Sequence, residues 1–291
     1  MRKIAIHGRQ VTKDSLSHIE SLFSYLSSHS KEVFISDSFR EVNKSQFNLD
    51  LYSGYPNSLS QGDADCIFSL GGDGTLLDTI THVGETHIPI LGINTGRLGF
   101  LTTTAKNSIS ESLDLLFSNQ FYLESRSLIQ LETATALFGK KNFALNEFAI
   151  LRKETSSMII VKCFLNDQYV NTYWADGLMV STPTGSTGYS LSCGGPVVMP
   201  QTKNFIITPV SPHNLNVRPL VIPDDGELTF KMESRETSVL ISLDSRSATV
   251  PHDLEIKVKK ADFNIQLIRL QGSSFVDTLR NKLGWGYDKR N

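Results

Sequence analysis

Leu70-Gly71-Gly72-Asp73-Gly74-Thr75 follows directly on the apolar run Cys66-Ile67-Phe68-Ser69. A short apolar run ended by turn residues predicts a buried strand of a parallel sheet. Leu76, Leu77, Ile80 and Val83 then predict a helix from Thr75 to Val83. The order is strand, glycine turn, helix. Such a turn lets main-chain N–H groups approach an anion, and the positive end of the helix dipole favours phosphate there. Gly71, Gly72 and Thr75 are therefore candidate contacts to a polyphosphate. Asp73 does not suit plain anion binding. A carboxylate beside phosphates repels them unless a divalent cation lies between, or unless it accepts the proton of a hydroxyl, and both are tasks in phosphoryl transfer. A ligand-free tight turn could also use Gly-Gly-Asp-Gly, so this turn alone leaves both readings open.

Working outward, Pro89-Ile90-Leu91-Gly92-Ile93-Asn94 predicts a second buried strand, which runs into Thr95-Gly96-Arg97-Leu98-Gly99-Phe100. Two successive parallel strands ending in glycine-rich turns place those turns on one sheet edge, where ligands bind. Upstream, Ile4-Ala5-Ile6 reads as the opening strand, and Asp14 to His29 as a helix with Leu16, Ile19, Phe23 and Leu26 on one face. This is βαβ order. After a helix from about Ser108 to Phe117 the pattern turns to short β segments: Phe143–Leu151, Met158–Leu165, Tyr169–Trp174, Phe205–Val210, Glu227–Met232, Val239–Leu243, Leu254–Val258 and Phe263–Leu270. Asn166-Asp167 is a candidate hairpin turn, and Ser274 to Leu283 an amphipathic helix ending at Gly284.

The 291 residues, 40% hydrophobic, exceed what one compact unit needs and predict two domains. We expect an α/β nucleotide-binding domain over residues 1–120, a β-rich domain over 121–272 that binds the second substrate, and a C-terminal helix over 273–291. Lys plus Arg (28) nearly balances Asp plus Glu (30), which points away from nucleic acid and from charged membrane surfaces. Lys257-Val258-Lys259-Lys260 reads as the solvated face of a strand. Cys66, Cys163 and Cys193 are widely spaced, with no metal-binding pattern, and read as core thiols. The opening MRKIAIHGRQ has too short an apolar run for a signal peptide or membrane span, and the expectation is a cytoplasmic enzyme.

The densest polar segment is DGLMVSTPTGSTGYSLSCGGP at 176–196, with five glycines and seven Ser or Thr in twenty-one residues. Hydroxyls and amides at a glycine-rich bend suit ribose and phosphate oxygens, and Tyr189 offers an aromatic face to a base.

Taken together, LGGDGT at 70–75, GINTGRLGFL at 92–101, Asn146-Glu147 within ALNEFAI, the segment at 176–196 and PHNLNVRPLV at 212–221 resemble the NAD kinase family. The match runs in order from about residue 65 to 223. A GGDG turn by itself also occurs in lipid kinases and phosphofructokinases, whereas the combination is specific. The resemblance implies an α/β N-terminal domain, a mostly-β, sandwich-like C-terminal domain with the active site between the two, and a last helix returning to the first domain. It also implies transfer of the ATP γ-phosphate to the 2′-hydroxyl of the adenosine ribose of NAD, with a divalent cation, Mg2+ being expected. Family members are commonly homo-oligomers, so a dimer or tetramer is implied.

Carried over by position, Asp73 matches the proton acceptor and Gly74 lies beside it in the NAD site. Asn146 and Glu147 match the pair at the adenosine ribose, and Asp176 the residue at the nicotinamide end. Thr187, Gly188, Tyr189, Ser190, Leu191 and Ser192 match the lining of the adenine pocket. Three positions depart from the family: Gly188 stands where Ala is frequent, Trp174 where a basic residue is frequent, and Ser245 follows Asp244 where Gly is frequent. Arg246 is a candidate phosphate contact. A lipid kinase would need an apolar entry to its acceptor site, which the polar 181–192 segment opposes. A non-catalytic dinucleotide sensor has no use for Asp73, and GINTGRLG lacks the second glycine of a dehydrogenase fingerprint.

Overall fold

The computed structural model describes residues 1–96, 99–102, 104–153, 158–272 and 274–285. Arg97 and Leu98 of the GINTGRLGFL segment lie outside the described residues. The chain divides into two compact units, Met1–Ser125 with Ile265–Asn291, and Arg126–Asn264.

The first unit is an α/β layer. Parallel strands stand in the order Ser53–Tyr55, Glu32–Ser36, Lys3–Gly8, Cys66–Leu70, Ile90–Asn94. The end of strand Ile256–Leu270 joins Ile90–Asn94 in parallel, with Leu267 opposite Ile90. The sheet starts at its middle strand, grows outward one way through Glu32–Ser36, then returns to the other side of Lys3–Gly8 with Cys66–Leu70. That reversal is the place where open α/β sheets leave a ligand crevice at the carboxyl ends of their strands, and here it lies where Gly8 pairs with Leu70. Strands Cys66–Leu70 and Ile90–Asn94 are buried along their whole length, as apolar runs covered on both faces must be. Helix Leu16–Ser28 buries Ile19, Leu22, Phe23 and Leu26. The final helix, Phe275–Leu283, is capped by the Ser274 hydroxyl and stopped by Gly284 at φ 66°. It belongs to this unit, and its Phe275 ring lies 6.4 Å from that of Phe100.

The second unit is mostly β. One antiparallel sheet has the order Leu220–Pro223, Asn204–Val210, Gly177–Ser181, Glu147–Leu151, Ser238–Leu243, Arg246–Pro251. A second set pairs Gln168–Ala175, Ile159–Leu165, Leu228–Glu233 and the first part of Ile256–Leu270, also antiparallel. Phe148, Ile150, Val180, Phe205, Ile207 and Ile241 of the first sheet share one core with Val161, Cys163, Tyr173, Phe230, Ile256 and Val258 of the second. That is a sandwich. Asn166 and Asp167, both with positive φ, make the two-residue hairpin turn, with Leu165 opposite Gln168.

Two expectations change, and one strand is added. Phe143–Leu151 is not one strand but two, Phe143–Ala144 and Glu147–Leu151, because the N–H groups of the intervening residues are captured by a side chain described below. Leu254–Val258 and Phe263–Leu270 are one strand, Ile256–Leu270, joined through a polar stretch in which Lys259 forms a salt bridge with Glu132. The twelve-residue strand Phe121–Glu132 has too irregular an alternation to be read from the sequence. Cys66 and Cys163 are buried thiols, pushed up to about 12 by burial. Among the described residues no helix is long and apolar enough to cross a membrane.

Candidate active site

In the first unit the helix Asp73–Val83 starts at Asp73 itself, with Gly72 as its N-cap. The Asp73 carboxylate is the focus of four donors. Oδ2 accepts from the Phe100 amide at 2.7 Å, and Oδ1 accepts from the Leu101 and Thr102 amides at 3.1 and 3.0 Å and from the Thr102 hydroxyl at 3.0 Å. Gly99 makes this approach possible, since a Cβ there would stand 1.8 Å from Asp73 Oδ1. Asn94, at the end of its strand, donates from Nδ2 to Thr102 Oγ1 at 2.9 Å and accepts from the Gly96 amide at 2.7 Å. Asn94 and Thr102 thus orient the carboxylate. A carboxylate offers about four lone-pair positions, and with one donor on Oδ2 among the described residues that oxygen retains a position for an incoming hydroxyl.

The phosphate candidates fare unevenly. Gly72 has nothing within 4 Å of a built Cβ among the described residues, so its backbone is open to a ligand, and Gly74, expected in the NAD site beside Asp73, is open in the same way. Gly71 donates its N–H to the Ile93 carbonyl, and Thr75 is buried with its N–H turned back to Gly72. These two shape the turn from inside.

In the second unit the site is built on Asp244. This residue occupies the first position of the tight turn between Ser238–Leu243 and Arg246–Pro251, at φ 51°. Ser245 is not among the positive-φ residues, so the turn does not demand the glycine frequent there. The Asp244 carboxylate accepts from the amides of Leu145 (2.8 Å), Asn146 (2.8 Å) and Glu147 (3.1 Å). Those bonds interrupt the strand and fix the backbone from which Asn146 and Glu147 project. Burial raises the Asp244 carboxyl above its ordinary value, against the pull of the three amides. Burial, with the Asp244 charge adding to it, pushes Glu147 up to about 8.

Glu147 pairs with Ser181 across the sheet, on the face opposite the apolar core. The polar segment folds over that face. Thr182 donates from Oγ1 to the Leu145 carbonyl and from its amide to the Asn146 carbonyl. Gly185 sits so close that a Cβ would lie 2.1 Å from the Asn146 carbonyl oxygen. Asn146 Oδ1 and Glu147 Oε2 are buried and have no hydrogen-bond partner among the described residues. Two buried polar oxygens without partners are costly unless a ligand brings hydrogen-bonding groups to them.

The other expected residues separate by direction. Gly188 opens toward this pair, a built Cβ lying 3.1 Å from Glu147 Oε2 and 3.4 Å from Asn146 Nδ2. Thr187 is half-buried and donates to the Thr184 carbonyl. Tyr189 is 44% exposed and free to present its ring. Leu191 is half-buried and Ser192 exposed. Ser190 points inward, its hydroxyl bonded to Thr208 Oγ1 at 2.9 Å, and so holds the segment down rather than facing a ligand. Asp176 forms a 3.0 Å ion pair with Arg152. Trp174 is tied through its backbone to Asn214 and His213. Arg246 donates to the carbonyls of Lys141 and Phe143, its guanidinium 5.6 Å from the Phe143 ring, and braces that corner instead of reaching outward. Sequence reasoning missed Asn94, Thr102 and Asp244 as organisers of the site. Asp244 had one signal, an acidic residue at a hairpin turn.

Sequence profiles place this chain among known proteins. The ATP-NAD kinase N-terminal domain matches residues 6–121, and the ATP-NAD kinase C-terminal domain residues 145–270. An NAD kinase of Cytophaga hutchinsonii is 48% identical over 290 residues, covering 99% of both chains. Among solved structures, an Archaeoglobus fulgidus NAD kinase in complex with ATP superposes with a TM-score of 0.73 at 26% identity, covering 97% of each chain. A yeast NADH kinase complexed with NADH gives 0.84 at 22% identity, covering 99% of this chain and 89% of the other, a likeness of fold.

Proposed function

This chain belongs to the ATP-NAD kinase family, and on that premise we propose that it moves the γ-phosphate of ATP to the 2′-hydroxyl of the adenosine ribose of NAD, with Asp73 accepting the hydroxyl proton. The observation that carries the acceptor assignment is the pair of buried oxygens, Asn146 Oδ1 and Glu147 Oε2, without a partner among the described residues. An adenosine supplies partners for both, with O–H and N–H donors and with ring-nitrogen and hydroxyl acceptors for a protonated Glu147. Asp73 is held rigidly by four donors, so its free lone pair has one direction, as a proton acceptor needs. Gly72, at the helix start, is the candidate backbone position open to the ATP phosphates, and Gly74 lies beside Asp73 in the NAD site in this reading. Gly188, Tyr189 and Thr187 line the adenine side in this reading, and Asp176 the nicotinamide end.

No three His, Cys, Asp or Glu side chains gather into a metal site among the described residues. Mg2+ is commonly held by substrate phosphates and water with one or two carboxylates, so the cation enters in this reading with ATP. When bound it would neutralise the charge developing on the transferred group. We further place the enzyme in the cytoplasm, as a dimer or tetramer, following its family. The test is a steady-state assay with NAD, ATP and Mg2+, coupled to an NADP-specific dehydrogenase. Formation of NADP that stops on chelation is the expected result. No product with ATP, GTP or polyphosphate as donor would overturn the reading.

A further inference from the structure

A buried ion pair stands directly behind the Asp73 loop. Arg269, on strand Ile256–Leu270, donates from Nε to Glu124 Oε2 at 2.6 Å; Glu124 lies on the neighbouring strand Phe121–Glu132. Both side chains are 7% exposed. Arg269 Nη1 donates to the Leu101 carbonyl at 2.9 Å. That carbonyl and the Thr102 N–H belong to one planar peptide unit, and the Thr102 N–H donates to Asp73 Oδ1 at 3.0 Å. The peptide is therefore gripped at both ends, its oxygen by a guanidinium and its N–H by a carboxylate. Its dipole aligns with both charges, and hydrogen bonds in such a chain strengthen one another at low local dielectric.

We propose that Glu124 and Arg269 are positioning residues for phosphoryl transfer, fixing the Leu101–Thr102 peptide so that Asp73 presents its carboxylate in one orientation; this rests on the assignment of Asp73 as proton acceptor. Stability does not explain the pair. Burying two charges costs several kcal/mol each, and an apolar pair of similar volume often serves stability as well or better. An apolar pair could not hold the Leu101 carbonyl. Residues 99–102 have no regular structure of their own, whereas Arg269 and Glu124 ride on adjacent strands, joined also by the Gln271 N–H to the Gln120 carbonyl. The pair transfers the rigidity of the sheet to the loop. Phe100, packed on Phe275, adds an apolar anchor on the next residue.

The test replaces both members at once, Glu124→Met with Arg269→Met, which avoids stranding one buried charge. We expect a folded protein in which kcat falls at least ten-fold while KM for NAD and for ATP stays within about three-fold, since a misplacement of about 1 Å costs up to about 100-fold in rate. Hydrogen exchange at the amides of Phe100, Leu101 and Thr102 should quicken at least about ten-fold relative to the rest of the first unit. If the double variant does not fold, Arg269→Lys gives the same readouts, because the charge facing Glu124 is kept while the two-pronged fork is lost. Parental exchange at these amides overturns the proposal. So does parental kcat with quickened exchange while Asp73→Asn is inactive, an outcome that leaves the proton-acceptor assignment standing. Parental turnover in Asp73→Asn instead removes that assignment, and the positioning role with it.

Discussion

Replacing Asp73 by asparagine exchanges one carboxylate oxygen for an NH2 donor at a point where four donors already converge. The amide has two ways to sit. With its oxygen in the place of Oδ1 it keeps the three bonds from Leu101 and Thr102, and its NH2 faces the Phe100 amide, donor against donor. Flipped, it loses three bonds to keep one. The first arrangement wins and forfeits one charge-assisted bond, a cost of about 1.5–3 kcal/mol. The fold should survive that loss. Turnover should fall by about 10²- to 10⁴-fold, the usual contribution of a general base, equivalent to about 2.7–5.5 kcal/mol in the barrier. Denaturant unfolding measures the first quantity, and coupled NADP formation at saturating ATP, Mg2+ and NAD the second. Thr102→Val is the control. It removes one bond to Asp73 Oδ1 and the partner of Asn94 Nδ2 but leaves the charge in place. Its stability should drop by about 1–2 kcal/mol, with turnover reduced less than about ten-fold. Near-parental turnover in folded Asp73→Asn, or an equal loss in both variants, would refute the proton-acceptor argument and leave Asp73 as the bracket of its loop.

Asn146→Ala should weaken NAD binding by about 1–3 kcal/mol, roughly 5- to 150-fold by calorimetry. Because Oδ1 has no partner among the described residues, stability should change by less than about 1 kcal/mol; equal NAD affinity in the two proteins would make the pair structural. Glu147 titrates near 8 in the folded chain against 4.5 for a free side chain. The folded state therefore holds its proton more firmly, and this stabilisation is complete below pH 4.5 and lost as pH rises through about 8. The loss has a slope of at most about 1.4 kcal/mol per pH unit. Glu147→Gln should flatten that slope in unfolding midpoints taken across the same range, and parallel curves would count against it. Gly188→Ala places a methyl 3.1 Å from Glu147 Oε2 and 3.2 Å from the Gly185 carbonyl oxygen. We expect it to fold normally with KM for NAD within about three-fold of the parent, since a few tenths of an ångström suffice to relieve the contact; an order-of-magnitude rise would mean the pocket is more rigid than this.

Features that depend on neighbours along the chain are legible without the fold. Strand Cys66–Leu70 was legible because a buried parallel strand is an unbroken apolar run, and the helix after it because Leu76, Ile80 and Val83 recur at helical spacing. The Asn166-Asp167 turn was legible because those two residues tolerate positive φ. The motifs singled out Asp73, Asn146 and Glu147 through their local company. Strand Phe121–Glu132 was not legible, because its alternation is broken by Glu124 and Arg126, charges that are buried only because of partners distant in sequence.

Which of the marked residues stay open and which hold others in place depends on contacts between distant segments. Ser190 sits in the same polar stretch as Gly188, yet its hydroxyl is spent on Thr208. Arg246 looks like a phosphate contact in one dimension and is a brace in three. The organisers escape sequence reasoning for one reason: Asp244 acts on residues 97 to 99 positions away, and Arg269 on a carbonyl 168 positions away. No periodicity or spacing encodes a hydrogen bond over such distances. Only the register of the strands brings those groups together, and that register is set by the burial of the apolar faces as a whole.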